Sequence, residues 1–331
     1  MNCRLPVATL VVQADNEKLA KTIKSSIKVR EKRVSVKSSI RKSIHNVAVM
    51  LILSIVFSNS IPASAQDKAQ SFDTLFKGRL INTISGQVTK IIDPLRIEIN
   101  HKEIIQLSNL DIPDFTVHEI GPLSQTILDG FNGTLLNKQI TVFQSPQTDH
   151  RINRMGYHVG QVIMRNDNTE KNIWIQRELI AAGLARLRPS ETNTEIISEL
   201  IILENDAIDA RRGYWAQDNA AHYTALYLNN TPRYGQWAVV DGTVKKVANV
   251  KNYIFLNFGE DWRTDFTVSI NAGQRRKLSR EGFNIFDLGG KTIRVRGWLE
   301  DYNGTSIQLM DPAWLGITPA IKPAIKDVST E

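Results

Sequence analysis

Apolar and polar residues alternate through residues 86–98 and again through 104–110, the period-two signature of strands with one buried face. Asn100-His101-Lys102 between them has the composition of a tight turn. The period then lengthens, and Leu123, Ile127 and Leu128 recur at helical spacing across 123–131. Residues 138–143 and 158–164 return to strand character, and Asp167-Asn168 reads as a hairpin turn. Residues 173–182 and 191–212 read as helices. In the second, Ile196, Leu200, Leu203 and Ala207 fall on one face and Gly213 stops the run. About five strands with interleaved helices predict an OB-type barrel carrying helical additions.

A polar stretch at 218–233, with Asn229-Asn230-Thr231-Pro232, reads as a linker. Beyond it, 237–247, 253–258, 265–270, 292–300 and 306–310 are strand candidates, and 275–282 is a helix after the third. Gly289-Gly290 and Asn303-Gly304 mark turns, the latter a strong hairpin signal. This order predicts a second OB-like unit. The fold class is therefore mainly β (α+β): an OB-type five-stranded barrel with helices, followed by a second OB-like β-barrel. Within the second unit Tyr253, Phe255 and Asn257 share one strand face, and aromatics so placed are expected to fill the barrel core. The competing reading joins them with Phe258, Trp262, Lys245, Lys246 and Lys251 as a stacking platform for single strands. Trp298 and Trp314 are expected to pack. Arg294 and Arg296 alternate with Ile293 and Val295, which predicts an exposed face with a modest positive stripe.

Charge and length change this picture at the N-terminus. The chain has 331 residues and a formal charge of +7. Residues 1–65 hold 11 Lys/Arg against 3 Asp/Glu, which leaves 30 basic and 31 acidic residues beyond them, a net of −1. The excess positive charge belongs to the leader, so overall charge gives no support for a non-specific polyanion binder, although a local basic patch stays open. Basic residues up to Arg41-Lys42 precede the apolar run 47–57, and Ala63-Ser64-Ala65 is a cleavage-type tripeptide before Gln66. This pattern predicts export to the periplasm or outside the cell, with a retained anchor as the competing reading. Cys3, in the leader, is the single cysteine, so the remainder has no disulfide, thiolate ligand or Cys nucleophile. The division is 1–65 leader and signal peptide, 66–76 flexible segment, 77–217 first domain, 218–233 linker, 234–318 second domain and 319–331 tail.

Residues 86–114, GQVTKIIDPLRIEINHKEIIQLSNLDIPD, resemble the opening strands of staphylococcal-nuclease-like (thermonuclease) domains. The family has an Asp-Gly-Asp-Thr turn, a strand, an Arg, and then Asp-Thr-Pro-Glu. Here the turn reads Asp93-Pro94-Leu95-Arg96, so the first Asp is present and the family's ligand Asp is Leu95. The phosphate-holding Arg falls on Gln106, the ligand Asp before Pro is Asp111, and the general-base Glu falls on Asp114. A second phosphate-contacting Arg corresponds to Arg154, in Ile152-Asn153-Arg154. The helix and exit Asn172 to Ala185, and the close Arg211-Arg212-Gly213-Tyr214-Trp215, also resemble the family, and the likeness covers about residues 77–215.

What the resemblance implies is a metal site at Asp111 and Asp93, and catalytic positions at Asp114 and Arg154, the latter also binding substrate. Phosphodiester cleavage relies on a metal and Arg to stabilise developing charge, and a hard cation such as calcium wants several oxygen ligands. Loss of one carboxylate and one Arg, each worth about 10²–10³ in rate, predicts impaired or lost cleavage and a weak calcium site or none. The expectation is an exported thermonuclease-like protein acting through residual binding of nucleic acid or another ligand. Two alternatives stay open: a calcium-dependent nuclease with a rebuilt site, and a non-catalytic module that binds an envelope protein. A different hydrolase on the same scaffold is the remaining reading. Local turn bonding by Asp111 and Asp114, and a surface ion pair for Arg154, are the structural counterparts. His101, His118, His150 and His158 share no metal-ligand spacing, and the Asp149-His150-Arg151 loop before Arg154 is a further candidate for a replacement base or phosphate contact.

Overall fold

The computed structural model describes residues 75–165, 172–188, 196–280 and 282–317. The leader, the turn at 167–168, the first residues of the helix expected from 191 and the tail lie outside the described residues. The architecture is mixed α+β around a closed five-stranded barrel.

The barrel begins with β1 (Ile81–Asp93), β2 (Arg96–Ile99) and β3 (Glu103–Leu107), followed by the short β4 (Leu110–Asp111). Next come α1 (Pro122–Thr134), β5 (Gln139–Gln144), β6 (His158–Met164), β7 (Ile173–Trp174), α2 (Ile175–Ala181), β8 (Arg186–Leu187) and α3 (Ile197–Asp209). Strand order is β3-β2-β1-β5-β6-β7, and a parallel β3–β6 pairing closes the first five into a ring. Asn100 and His101, at φ 54° and 55°, turn β2 into β3, and the Lys102 N–H bonds the Ile99 carbonyl at 3.0 Å. Two consecutive positive φ values match the right-handed twist of the strands they join. Alternation does the rest: Val88, Ile97, Ile99, Ile105, Ile140, Val142 and Val162 fill the interior. Phe76, the last residue of the segment expected to be loose, instead packs into this core against Phe143 and Trp174, with ring centroids 5.0 and 5.1 Å away.

The glycines in the two helix exits bring those exits into contact. Gly183, after α2, has φ +68°, and Gly213, after α3, has φ +53°. They pass so closely that the Tyr214 N–H bonds the Gly183 carbonyl at 2.8 Å. A Cβ on Gly183 would lie 2.2 Å from the Arg212 carbonyl oxygen.

The segment 218–233, expected as a linker, is ordered into β9 (His222–Thr224) and α4 (Ala225–Asn230), and Ala225 and Leu228 join the second core. Thr224 caps α4, its hydroxyl accepting from the Tyr227 N–H. Then follow β10 (Trp237–Thr243), β11 (Lys246–Val250), β12 (Tyr253–Asn257), β13 (Thr267–Asn271), α5 (Ala272–Arg280), β14 (Thr292–Trp298), β15 (Glu300–Asp301), β16 (Thr305–Gln308) and β17 (Leu315–Ile317). They form one sheet of order β17-β14-β10-β9 and another of order β11-β12-β13-β16-β15. On β12 the inward residues are Ile254 and Leu256, so Tyr253 and Phe255 face outward, contrary to the core position expected for them.

A second correction concerns Arg294 and Arg296, which are 2% and 1% exposed rather than a solvent stripe. Ile293 and Val295 enter the second core, while the two arginines on the other face of β14 meet α3 of the first unit. Arg296 Nε bonds Glu204 Oε2 at 2.5 Å, and Glu204 Oε1 accepts the Leu187 N–H at 2.6 Å. Arg294 grips both oxygens of Asp241 at 2.7 and 2.9 Å and reaches Asp209 at 3.0 Å. Asn205 Oδ1 accepts from both arginines, at 3.1 and 2.6 Å, and His222 Nε2 lies 2.6 Å from Asp241. Burial pushes the Asp241 carboxyl up, but hydrogen bonds from His222 and Arg294 outweigh it and hold it below the ordinary range.

Breaking one partner of such a network leaves an uncompensated charge in the interior. Arg296→Met is expected to lower unfolding free energy by about 3–5 kcal/mol. The double variant Glu204→Leu with Arg296→Met should recover part of that loss, read by urea titration, because neither charge is then stranded. Additive losses would mean the pair is not coupled. Gly183→Ala, which combines a positive φ with a backbone overlap, should cost about 2 kcal/mol or more in the same titration.

Candidate functional site

Each candidate residue has a definite local role. Asp93 ends β1 and is buried. Its Oδ1 accepts the Leu95 N–H at 2.9 Å, an Asx turn, and its Oδ2 pairs with Arg96. The hydrogen bond that Arg96 donates to Asp93 holds its guanidinium above its already high range, and the same guanidinium lies 5.6 Å over the Tyr157 ring. Leu95 turns its side chain onto the barrel core. The position that carries a ligand carboxylate in the resembled family is thus an apolar packing position here.

Gln106 lies opposite Arg96 across the β2–β3 ladder and accepts from Asn153 Nδ2 at 2.7 Å. Asn153 Oδ1 accepts the N–H groups of Met155 and Tyr157, at 2.9 and 3.0 Å, so one side chain folds the whole 153–157 turn. Arg154 projects from that turn, exposed, and makes no hydrogen bond or ion pair with any of the described residues. The preceding loop is structural: Arg151 donates to the carbonyls of Ser145 and Pro146 at 3.0 and 2.7 Å, and Asp149 lies 3.9 Å from His150.

Asp111 pairs across the β4–β8 ladder with Arg186, which donates its Nε to Asp111 Oδ2 at 2.9 Å and adds a second contact from Nη2. Arg188 approaches the other oxygen at 3.6 Å. Arg186 also donates to the Trp237 carbonyl at 3.1 Å and lies 5.3 Å over the Tyr214 ring. Arg188 lies 5.1 Å over the Trp298 ring. Two arginines that sequence reasoning did not single out therefore connect Asp111 to the second unit. The alternation Arg186-Leu187-Arg188, directly after the Gly183-Leu184-Ala185 exit, was the available signal. Trp314 packs edge-on to Trp237 at 4.6 Å, whereas Trp298 remains 43% exposed.

Asp114 serves the N-terminus of α1. Oδ2 accepts the Leu123 N–H at 2.7 Å, and Oδ1 accepts the N–H and hydroxyl of Ser124 at 3.0 and 2.7 Å. The residue that precedes the helix, Gly121, has no side chain to cap it, and a Cβ there would lie 2.3 Å from Asp114 Oδ2. The carboxylate supplies the cap from across the loop and faces the positive end of the helix dipole. Both of its oxygens are engaged by the start of α1.

Asp93, Asp111 and Asp114 thus each have a different internal partner, while Arg154 faces solvent. No group of three or more His, Cys, Asp or Glu side chains able to hold a metal occurs among the described residues. Calcium needs several oxygen donors, and here Asp93 and Asp111 each face an arginine while Leu95 brings none. Paired in this way, Asp93 and Asp111 offer a calcium ion fewer free oxygens than it needs. His158 bonds Glu103 at 3.1 Å, while His101 and His118 occupy exposed turns.

If Asp114 is a helix cap, Asp114→Ala should lower stability by about 1–2 kcal/mol. The loss should be the same with calcium or with chelator in thermal melts. A destabilisation seen only in calcium would make the carboxylate a metal ligand instead.

Comparison of the sequence with family models gives no match, and comparison with curated proteins gives none.

Proposed function

We propose that this chain is an exported thermonuclease-like protein that has kept the barrel scaffold, has lost metal-dependent phosphodiester cleavage, and works in the periplasm or outside the cell as a binding module. The observation that carries the reading is the commitment of every candidate carboxylate to an internal partner: Asp93 to Arg96, Asp111 to Arg186, Asp114 to the start of α1. A catalytic carboxylate must be available to metal or substrate when the transition state forms, and these are already spent on the fold. Among the described residues no helix is long and apolar enough to cross a membrane.

The second unit supports the binding half of this reading. Taking β10 with β11 as one bent strand, and β16 with β17 as another, gives five strands with α5 between the third and fourth. The parallel β13–β16 pairing and the β14–β17 pairing would then complete a ring, and we read this unit as a second OB-type barrel. OB-type barrels are known as binding surfaces, and fold alone assigns no ligand.

The test is nuclease activity of the purified protein on single-stranded DNA and RNA, with calcium and with chelator. The expected result is no cleavage above the buffer rate at high protein concentration. Calcium-dependent cleavage that disappears in Asp111→Asn and Arg154→Ala would overturn the proposal in favour of a site rebuilt around Leu95 and Gln106.

A further inference from the structure

We propose that α5 and the turn after it form a docking surface for an anionic lipid bilayer. The helix is seated by two contacts. Asn271 Oδ1 caps it by accepting the Gln274 N–H at 3.0 Å, and Leu278 enters the second core. The opposite side is cationic. Arg276 and Arg280, four positions apart, share the crest away from Leu278, with Arg275 and Lys277 on its flanks, and all four are exposed. Lys277 lies 3.6 Å from Asp311, while the three arginines make no ion pair with any described residue. Residues 272–291 hold five Lys/Arg against two Asp/Glu, a net of +3, in a chain that is net −1 beyond residue 65. Helix stability does not call for this arrangement. Like charges four apart weaken a helix, and Arg275 and Arg276 stand near the N-terminal end of α5, where the dipole disfavours cations.

Two large apolar side chains accompany these cations. Met310 is 48% exposed, and its carbonyl accepts from Gln274 of α5. Phe286 is 52% exposed in the turn Ile285–Leu288, which packs against the helix. That turn is tied to α5 by the Phe283 N–H, which donates to the Leu278 carbonyl at 2.9 Å. The core needs neither side chain, since Ile285, Leu288 and Leu309 serve it from nearby positions. Asp287, next to Phe286, is exposed and is included in the net of +3. Guanidinium groups are drawn to the negative surface of a bilayer, and apolar side chains enter its headgroup layer once there. A polyanion in solution would use the arginines and leave Phe286 and Met310 in water. An apolar protein partner would cover those two and strand the arginines.

The test places a polarity-sensitive dye at position 286 of the full chain. Cys3 is the single cysteine, so Cys3→Ser with Phe286→Cys gives one labelling site. Cys3→Ser with Val117→Cys gives a reference label on the first unit, at a residue 80% exposed. The basic leader is itself attracted to anionic vesicles, so adsorption of the chain is not the readout. The label reports whether this surface enters the bilayer. On vesicles of phosphatidylcholine with roughly 30% phosphatidylglycerol, the label at 286 should brighten and shift to the blue. It should stay unchanged on pure phosphatidylcholine, and the response should fall as salt rises from about 50 to 500 mM. The label at 117 should stay in water throughout. Each basic residue near such a surface is worth about 5-fold, so Arg275→Glu with Arg276→Glu should raise the lipid concentration needed at least about 25-fold. Glutamates at the start of α5 suit its dipole, so this variant should melt no lower than the parent. A label at 286 that stays in water on anionic vesicles overturns the proposal. So does an equal response on neutral vesicles, at position 117 or in the double variant. A response to an oligonucleotide and none to vesicles would make the partner a soluble polyanion and overturn it as well. Because α5 lies outside the first barrel, this assay and the nuclease assay can fail independently.

Discussion

The interaction on which the rest of the molecule depends is the buried meeting of α3 with β14. Glu204 is wholly enclosed, and so is its partner Arg296; the neighbouring Arg294 is held by Asp241 and Asp209 with Asn205 shared between both arginines. Ions removed from water are tolerated only when nearly every lone pair and proton finds a partner. This network meets that condition by drawing from three places at once: a helix of the first unit, and strands β10 and β14 of the second. Hydrophobic packing tolerates small slips between units, but a forked guanidinium facing a carboxylate does not. The network fixes relative geometry as much as it contributes free energy.

That fixed geometry bears on the fate of Asp111. Its ladder partner Arg186 is anchored at its other end on the Trp237 carbonyl, the first residue of β10. A metal competing for Asp111 would have to displace an arginine held by the second unit as well as by the carboxylate. The same residue types that assemble a cation site in the resembled family are here paired off in ones and twos. Asp114 follows the same logic through a different partner, a helix start whose own cap position is glycine. In each case the local structure needs the carboxylate for a reason unrelated to chemistry on a substrate.

Much of the first barrel could be read from the sequence because most of its strands bury one face more deeply than the other, β6 being buried on both. Alternation then reports both the element and its inner residues, and the Asn100-His101 turn is set by residues that tolerate a positive φ. Legibility failed where alternation told which residues share a face but not which way that face points. Tyr253 and Phe255 were placed on one face correctly and on the inner side wrongly, since Ile254 and Leu256 are the better core residues. Arg294 and Arg296 were read as exposed because a strand with charges at every second position normally is. β14 breaks that rule by being buried on both faces, and the acids that permit it lie about 50 to 90 positions away in the sequence. The segment 218–233 read as a linker from its polar composition, yet Thr224 caps a helix there and Asn229 Oδ1 accepts the Phe266 N–H at 2.6 Å. Polar residues that serve as caps and braces look the same in composition as polar residues that face solvent.

The candidate site was legible as positions and not as roles, for a related reason. A motif records residue types at spacings, whereas a role depends on what each side chain faces, and those partners come from β8, α1 and the second unit. Charge behaves likewise. The excess of basic residues sits in the leader, and the remainder is close to neutral. Near-neutral totals still permit local fields, because Asp241 is drawn into the buried network, Glu260, Asp261 and Asp265 gather in one hairpin loop, and Glu300 and Asp301 lie exposed on β15. On the outward face of β11 and β12, Lys246 makes no ion pair with a described residue, Tyr253 is exposed and Phe255 is half-buried. The buried network thus removes Arg294 and Arg296, with Glu204 and Asp241, from the surface, so the distribution of charge, rather than its sum, is what the structure adds to the sequence.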